Sequence, residues 1–211
     1  MNQVSAFSED DYSYFDPRIC VIGSGSATLS HAVAFSEKYR TIWFDPRRTG
    51  AKENTRADDG TPPCSAWLLQ DSLYDNLKCA SDIEDIHNCN FYIIHLATLS
   101  EKIDRSDQSF LLQACELVGK VISGGDIVVF NPRVCPTLSE KECISMVERV
   151  SGLTCNNDFF AGYSPGTFNV KCTPISTPEI VKIVNEVYFN VFGMNTFITH
   201  LIGESEVSGV G

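Results

Sequence analysis

Gly23 and Gly25 stand one residue apart where a short apolar run, Ile19-Cys20-Val21-Ile22, gives way to a helical pattern. Gly23 suits a tight turn, and Gly25 lets the main chain approach a bound group closely. The helix that follows begins at Ser26 and Ala27. Its N-terminus carries roughly half a positive charge and several unpaired amides, so it suits a phosphate or pyrophosphate. Asp45 closes the next apolar run, residues 41–44, about 20 residues further on, where a carboxylate can accept hydrogen bonds from a ribose diol. The chemistry indicated is dinucleotide binding through Gly23, Gly25, Ser26, Ala27 and Asp45. The third glycine of the pattern, which allows close helix–strand packing, is replaced by Thr28. Either a small helix shift accommodates Thr28, or the helix is pushed off the sheet and the pyrophosphate site is spoiled. Asp45 is also readable as the Asp of an Asp-Pro turn. Arg47 and Arg48 are readable as 2′-phosphate ligands or as a solvated basic pair, and Asp45 opposes the former.

The elements needed to hold these residues alternate along the chain. Strands are expected at residues 18–22, 41–44, 91–96, 127–130 and, last, 159–163. Helices are expected after the glycines, carrying Leu29, Ala32, Val33 and Phe35 and ending near Lys38, at 106–122, 139–150 with Ser139 as N-cap, and 178–192. Residues 65–77 read as weakly helical. Residues 82–86 read as one helical turn capped by Ser81 or Asp82. Residues 45–63 are rich in Pro, Gly, Arg and Asp and read as a loop. Apolar strands alternating with amphipathic helices predict an α/β fold. It is a single, doubly wound, mostly parallel Rossmann sheet of about six strands. Residues 1–17 are expected to form a flexible acidic leader, 18–192 the dinucleotide-binding domain and 193–211 a C-terminal appendage.

Composition narrows the partners. The 211 residues are 43% hydrophobic and 20% charged, with a net charge of -11. Nucleic acid or an anionic membrane would require a basic face, so neither is expected as the main partner. Residues 1–16 lack the basic and apolar parts of a secretory signal. No apolar run approaches the ~18 residues of a membrane span. The nine cysteines are scattered without a CxxC pair. They are expected to be reduced thiols, which suits a cytoplasmic protein. His31, His87, His95 and His200 share no metal-ligand spacing, so no metal site is expected and helix-surface or sheet-edge roles are assigned to them.

Four segments carry a family resemblance: ICVIGSGSATLSHAVAFSEKY at 19–39, SDIEDIHNCNFYIIHL at 81–96, GDIVVFNPRVCP at 125–136 and SGLTCNNDFFAGYSP at 151–165. In order and spacing they resemble the N-terminal part of the UDP-glucose/GDP-mannose dehydrogenase family. Within it they are most like the bacterial UDP-N-acetylhexosamine dehydrogenases of polysaccharide synthesis. The resemblance implies NAD as cofactor and oxidation of a sugar C6 alcohol to a carboxylate, through a cysteine-bound thiohemiacetal and thioester. It places Gly23 and Gly25 at the pyrophosphate, Asp45 at the adenosine ribose and Thr98 on a cofactor-facing loop. Departures are equally specific. Where the family has Glu-Ser-Thr-Val this chain has Asn131-Pro132-Arg133-Val134, and where it has Ser-Pro-Glu-Arg the chain has Ser164-Pro165-Gly166-Thr167. Arg133 is either a new anion ligand or a drifted position, and Cys135 beside it is most simply an inert thiol. The family's nucleophilic cysteine and its central-helix lysine and asparagine correspond to positions beyond residue 211. No catalytic residue is therefore assigned, and the chain alone is expected not to complete the oxidation. Without the dimer-forming central helix, a monomer or a different dimer is expected. The alternative is a non-enzymatic regulator or scaffold that pairs with a full-length nucleotide-sugar dehydrogenase or a polysaccharide-synthesis partner.

Overall fold

The computed structural model describes residues 15–46, 75–96, 105–132, 140–166, 169–172 and 178–193. The N-terminal leader before residue 15, the loop from 47 to 63, the expected helix at 65–74 and the tail after 193 lie outside them. So do Thr98, Arg133, Cys135 and Ser139.

The chain runs β1 (Arg18–Ile22), α1 (Gly25–Ser36), β2 (Arg40–Phe44), β3 (Leu77–Ala80), a 3-10 turn (Ile83–Ile86), β4 (Phe91–Leu96), α2 (Arg105–Val121), β5 (Ile127–Pro132), α3 (Glu140–Ser151), β6 (Phe160–Gly166), β7 (Asn169–Cys172) and α4 (Pro178–Phe192). The seven strands form one sheet in the order β3-β2-β1-β4-β5-β6-β7. All neighbours are parallel except the last pair, β6 and β7. This is the doubly wound α/β architecture. The chain moves outward from β1 through β2 to β3, then returns to lay β4 on the other side of β1. The crevice at the carboxyl ends of β1 and β4 is the place where such sheets take ligands.

Strand periodicity explains why these segments pair in the sheet interior. Cys20, Ile22, Tyr92, Ile94, Val128 and Phe130 enter one core with Leu111, Cys115 and Val118 of α2 and Val147 of α3. Their alternates Ile19, Val21, Phe91, Ile93, Ile127 and Val129 enter the other, with Leu29, Ala32 and Phe35 of α1 and Val184, Val187 and Tyr188 of α4. Helices on both faces require strands apolar on both sides, hence the unbroken hydrophobic runs. Gly119 marks close approach of α2 to α3, because a Cβ there would lie 2.7 Å from the Cβ of Val150.

Two strands depart from the sequence expectation. Leu77–Ala80 pairs parallel with β2, Thr41 opposite Leu77, although residues 65–77 read as helical. Asn169–Cys172 adds an antiparallel edge beyond β6, which had read as the last strand. The 3-10 turn is capped by Asp82, whose carboxylate accepts from the Glu84 N–H at 3.1 Å.

The cysteines divide. Cys20, Cys89, Cys115 and Cys143 are buried and free, and Cys155 is half-buried and free. Burial pushes the Cys20 thiol up and raises Cys155 to about 12, so both are inert at neutral pH. Cys79 is disulfide-bonded, which corrects the expectation that every thiol is reduced. No helix among the described residues is long and apolar enough to cross a membrane.

Asp126 turns the chain into β5, its Oδ2 accepting from the Ser123 N–H at 2.8 Å. Burial pushes its carboxyl up to about 6, against the downward pull of that N–H and of Arg18. A folded-state value above the ordinary 3.8 means that stability is lost as pH rises from 3.8 through about 6. Asp126→Asn keeps an acceptor for Ser123 without the charge. It is expected to gain about 1–3 kcal/mol at pH near 8, with the gain vanishing below about pH 4. Urea denaturation at the two pH values measures this, and a gain independent of pH would contradict it.

Candidate functional site

Gly23, just past β1, is held from three sides. Its N–H donates to the Phe44 carbonyl at 3.0 Å. Its own carbonyl accepts from the Trp43 indole Nε1–H at 3.0 Å. A Cβ at this position would stand 2.2 Å from the carbonyl oxygen of His95 and 2.9 Å from Thr28 Cγ2 and Oγ1. Only glycine lets β1, β2 and β4 close around the turn. Gly25 opens α1 with φ 85°, in the left-handed region that favours glycine. The first turn of α1 holds no acidic residue, and Ser26 and Ala27 lie exposed on it. The positive end of the helix therefore faces outward with no carboxylate in its own first turn.

Ser24 occupies the N-cap position but makes no side-chain cap. Its hydroxyl instead donates to Asp45 Oδ1 at 2.6 Å. Strand register accounts for this. Ile22 pairs with Phe44, so the residues just beyond each strand end are brought side by side. Asp45 is 2% exposed, so its carboxylate is a built part of the turn rather than a solvated loop charge. The expected cradle residues Gly23, Gly25, Ser26, Ala27 and Asp45 thus converge on one corner of the sheet. Thr98, the sixth, falls outside the described residues.

Thr28 stays inside the fold. It is fully buried, its Oγ1 donates to the Ser24 carbonyl at 2.9 Å, and the same oxygen lies 3.1 Å from His95 Nδ1. Its Oγ1 thus ties the start of α1 to β4, lying within reach of both the ring and the carbonyl of His95. α1 remains packed on the sheet through Leu29, Ala32 and Phe35. Of the two outcomes for Thr28, the accommodated helix is the one found.

His95 corrects the sheet-edge expectation, for it sits on β4, between β1 and β5. Its ring stacks on that of His31 with centroids 4.1 Å apart. His31 Nδ1 is 3.1 Å from the Ala27 carbonyl, and burial lowers the proton affinity of this ring. Sequence reasoning missed both this pair and the Ser24–Asp45 bond. The signal lay in register: Ile22 pairs with Ile94, so His95 adjoins Gly23. Around the expected pocket, β5 ends at Asn131 and Pro132, paired with His95 and Leu96, and β6 ends at Gly166. Glycine at 166 supplies no acid or base. Among the described residues no group of His, Cys, Asp and Glu could hold a metal ion.

No family model matches the chain. It is 33% identical over 204 residues to UDP-N-acetyl-D-glucosamine 6-dehydrogenase of Salmonella typhi, covering 92% of this chain and 48% of that protein. It is 35% identical over 184 residues to Protein CapL of Staphylococcus aureus, covering 82% and 43% respectively. The chain belongs to the UDP-glucose/GDP-mannose dehydrogenase family. It spans about half the length of the curated relatives it matches. Among solved structures, GDP-mannose dehydrogenase of Pseudomonas aeruginosa, crystallised as a ternary complex, superposes with a TM-score of 0.61 at 18% identity. That match covers 83% of this chain and 44% of the other, a likeness of fold. The glycine turn, the buried acid and the strand order thus occur in a chain of dehydrogenase ancestry.

Proposed function

We propose that this chain is an NAD-binding domain of the nucleotide-sugar dehydrogenase type that does not complete the oxidation of a sugar alcohol on its own. The observation that carries the reading is the Gly23–Gly25 turn opening α1 directly beside the buried Asp45, itself oriented by Ser24. Gly23 and Gly25 would admit the pyrophosphate to the amides of Ser26 and Ala27, Asp45 would receive the adenosine ribose, and Thr98 would belong to a cofactor-facing loop. The bound group would supply a hydride acceptor. Asp45 would also disfavour a 2′-phosphate by charge repulsion, so NAD is preferred over NADP. The lack of an acid at Gly166 and the burial of Cys20, Cys89, Cys115 and Cys143 in the core support the incapacity for the full reaction.

Calorimetric titration with NAD tests this. Saturable binding at micromolar to sub-millimolar affinity is expected, with NADP weaker. Asp45→Ala is expected to weaken it by about 10- to 100-fold, the worth of hydrogen bonds to a charged acceptor. Absence of heat with NAD at millimolar concentration would sink the reading.

A second reading is favoured by the same absent acid at Gly166: a non-enzymatic regulator that pairs with a full-length nucleotide-sugar dehydrogenase. Co-sedimentation with such an enzyme, and a change in its turnover, would support it. Independent sedimentation and unchanged turnover would remove it.

A further inference from the structure

Ser24 stands at the N-cap of α1 with extended backbone, φ -114° and ψ 156°. A serine in that place ordinarily turns its oxygen onto an amide of the first turn. Ser24 makes no such bond. Its hydroxyl donates instead to Asp45 Oδ1, at a separation of 2.6 Å that belongs to the short, strong class of hydroxyl–carboxylate bonds. Main-chain bonds on either side hold Ser24 in position for this. The Gly23 N–H donates to the Phe44 carbonyl at 3.0 Å, and the Ser24 carbonyl accepts from Thr28 Oγ1 at 2.9 Å. Phe44 and Thr28 are both fully buried, so the anchors belong to the packed part of the sheet and of α1.

The hydroxyl bears on two groups at once. The terminal torsion of an aspartate is broad and roughly two-fold, so its plane is set by the donors around it. The bond from Ser24 narrows that torsion at a residue that is 2% exposed. A carboxylate only accepts, so it recognises a partner that donates, a ribose hydroxyl rather than a phosphate oxygen. At the helix, the first amides of α1 receive no side-chain cap from Ser24, and Ser26 and Ala27 lie exposed there. Amides so placed suit a diphosphate. One side chain thus links the ribose end of the cradle to its diphosphate end.

We propose that Ser24 is a positioning residue for an adenosine diphosphate group with an unsubstituted ribose: its hydroxyl sets the Asp45 carboxylate for the ribose 2′-OH and, turned away from capping α1, leaves the first amides of the helix to the diphosphate. This rests on the NAD reading above and adds to it the residue that orients the ribose ligand.

Calorimetry on the whole chain compares NAD with its adenosine 2′-deoxy analogue. Ser24→Ala is expected to weaken NAD about 10-fold and the deoxy analogue no more than about twofold, because that analogue lacks the hydroxyl Asp45 would receive. Ser24→Thr keeps the donor and is expected to bind both ligands as the wild type does. Equal losses for the two ligands in Ser24→Ala would mark a turn that is merely loosened, and no loss for either would mark an idle hydroxyl. Each of these results would overturn the proposal. A measurement without ligand separates it from the NAD reading. The Asp45 side-chain carboxyl carbon, followed by NMR at neutral pH, is expected to shift in Ser24→Ala and to stay in place in Ser24→Thr. A resonance indifferent to Ser24→Ala in a protein that binds NAD would remove the positioning role and leave the NAD reading standing. A resonance that shifts in a protein that takes up no NAD would sink the NAD reading, and the nucleotide role of Ser24 with it, leaving only a structural tie.

Discussion

Gly23→Ala is expected to cost stability at or above the top of the roughly 1–3 kcal/mol usual for overpacking, and to abolish dinucleotide binding. The obstacle is a main-chain oxygen. A Cβ would lie 2.2 Å from the His95 carbonyl, and that oxygen is fixed by the central strand β4 and cannot swing aside as a side chain would. Relief would require β1 and β4 to separate at the crevice. Gly152→Ala supplies the control. Gly152 has φ 75° and nothing within 4 Å of its missing Cβ, so alanine there meets only backbone strain, about 1–2 kcal/mol. Urea denaturation of the two variants isolates the clash. A Gly23→Ala loss no greater than that of Gly152→Ala would show that the turn yields, contrary to the packing described.

Trp43→Ala is expected to be the most damaging single truncation at the site, at about 3–5 kcal/mol. Trp43 is 1% exposed and packs with Ile19, Val21, Phe35 and Phe91 under α1. It also donates its indole N–H to the Gly23 carbonyl at 3.0 Å, so alanine removes both a large core volume and a tether on the turn. Trp43→Phe separates the two roles. It keeps much of the volume and gives up the hydrogen bond, worth about 1 kcal/mol. The phenylalanine variant is therefore expected to stay near wild-type stability and still bind NAD more weakly, read by denaturation midpoint and calorimetry together. If phenylalanine proved as destabilising as alanine, the hydrogen bond rather than the packing would hold this corner.

What could be read in the sequence followed from how locally each feature is encoded. β1, β4 and β5 announce themselves because burial on both faces demands runs such as Ile19 to Ile22 and Phe91 to Ile94. α2 and α4 carry apolar residues at helical spacing over several turns and were placed almost to the residue. β3 and β7, LKCA and NVKC, are four-residue strands at the sheet edges, each with a lysine. Four residues hold too little periodicity to reveal a strand, and their conformation is imposed by β2 and β6. The site divides in the same way. Gly23, Gly25 and Asp45 were legible because turn geometry and anion chemistry restrict the residue type at a fixed spacing. Ser24 on Asp45, and Thr28 on His95 on His31, were not, because those contacts exist only once β1 is in register with β2 and β4.

The strand order also has a kinetic consequence. β1 meets β2 across 22 positions of chain, Arg18 opposite Arg40, whereas the Arg18 N–H reaches the Asn90 side chain across 72. Loop-closure entropy rises by about 0.6 kcal/mol per doubling of length, so local strand pairs are favoured to assemble before the halves of the sheet join. The crevice between β1 and β4 is the seam of that late joining. A nucleotide lodged there would hold together the two halves that the chain brings into contact last, and binding would report on completion of the fold as much as on the cradle itself.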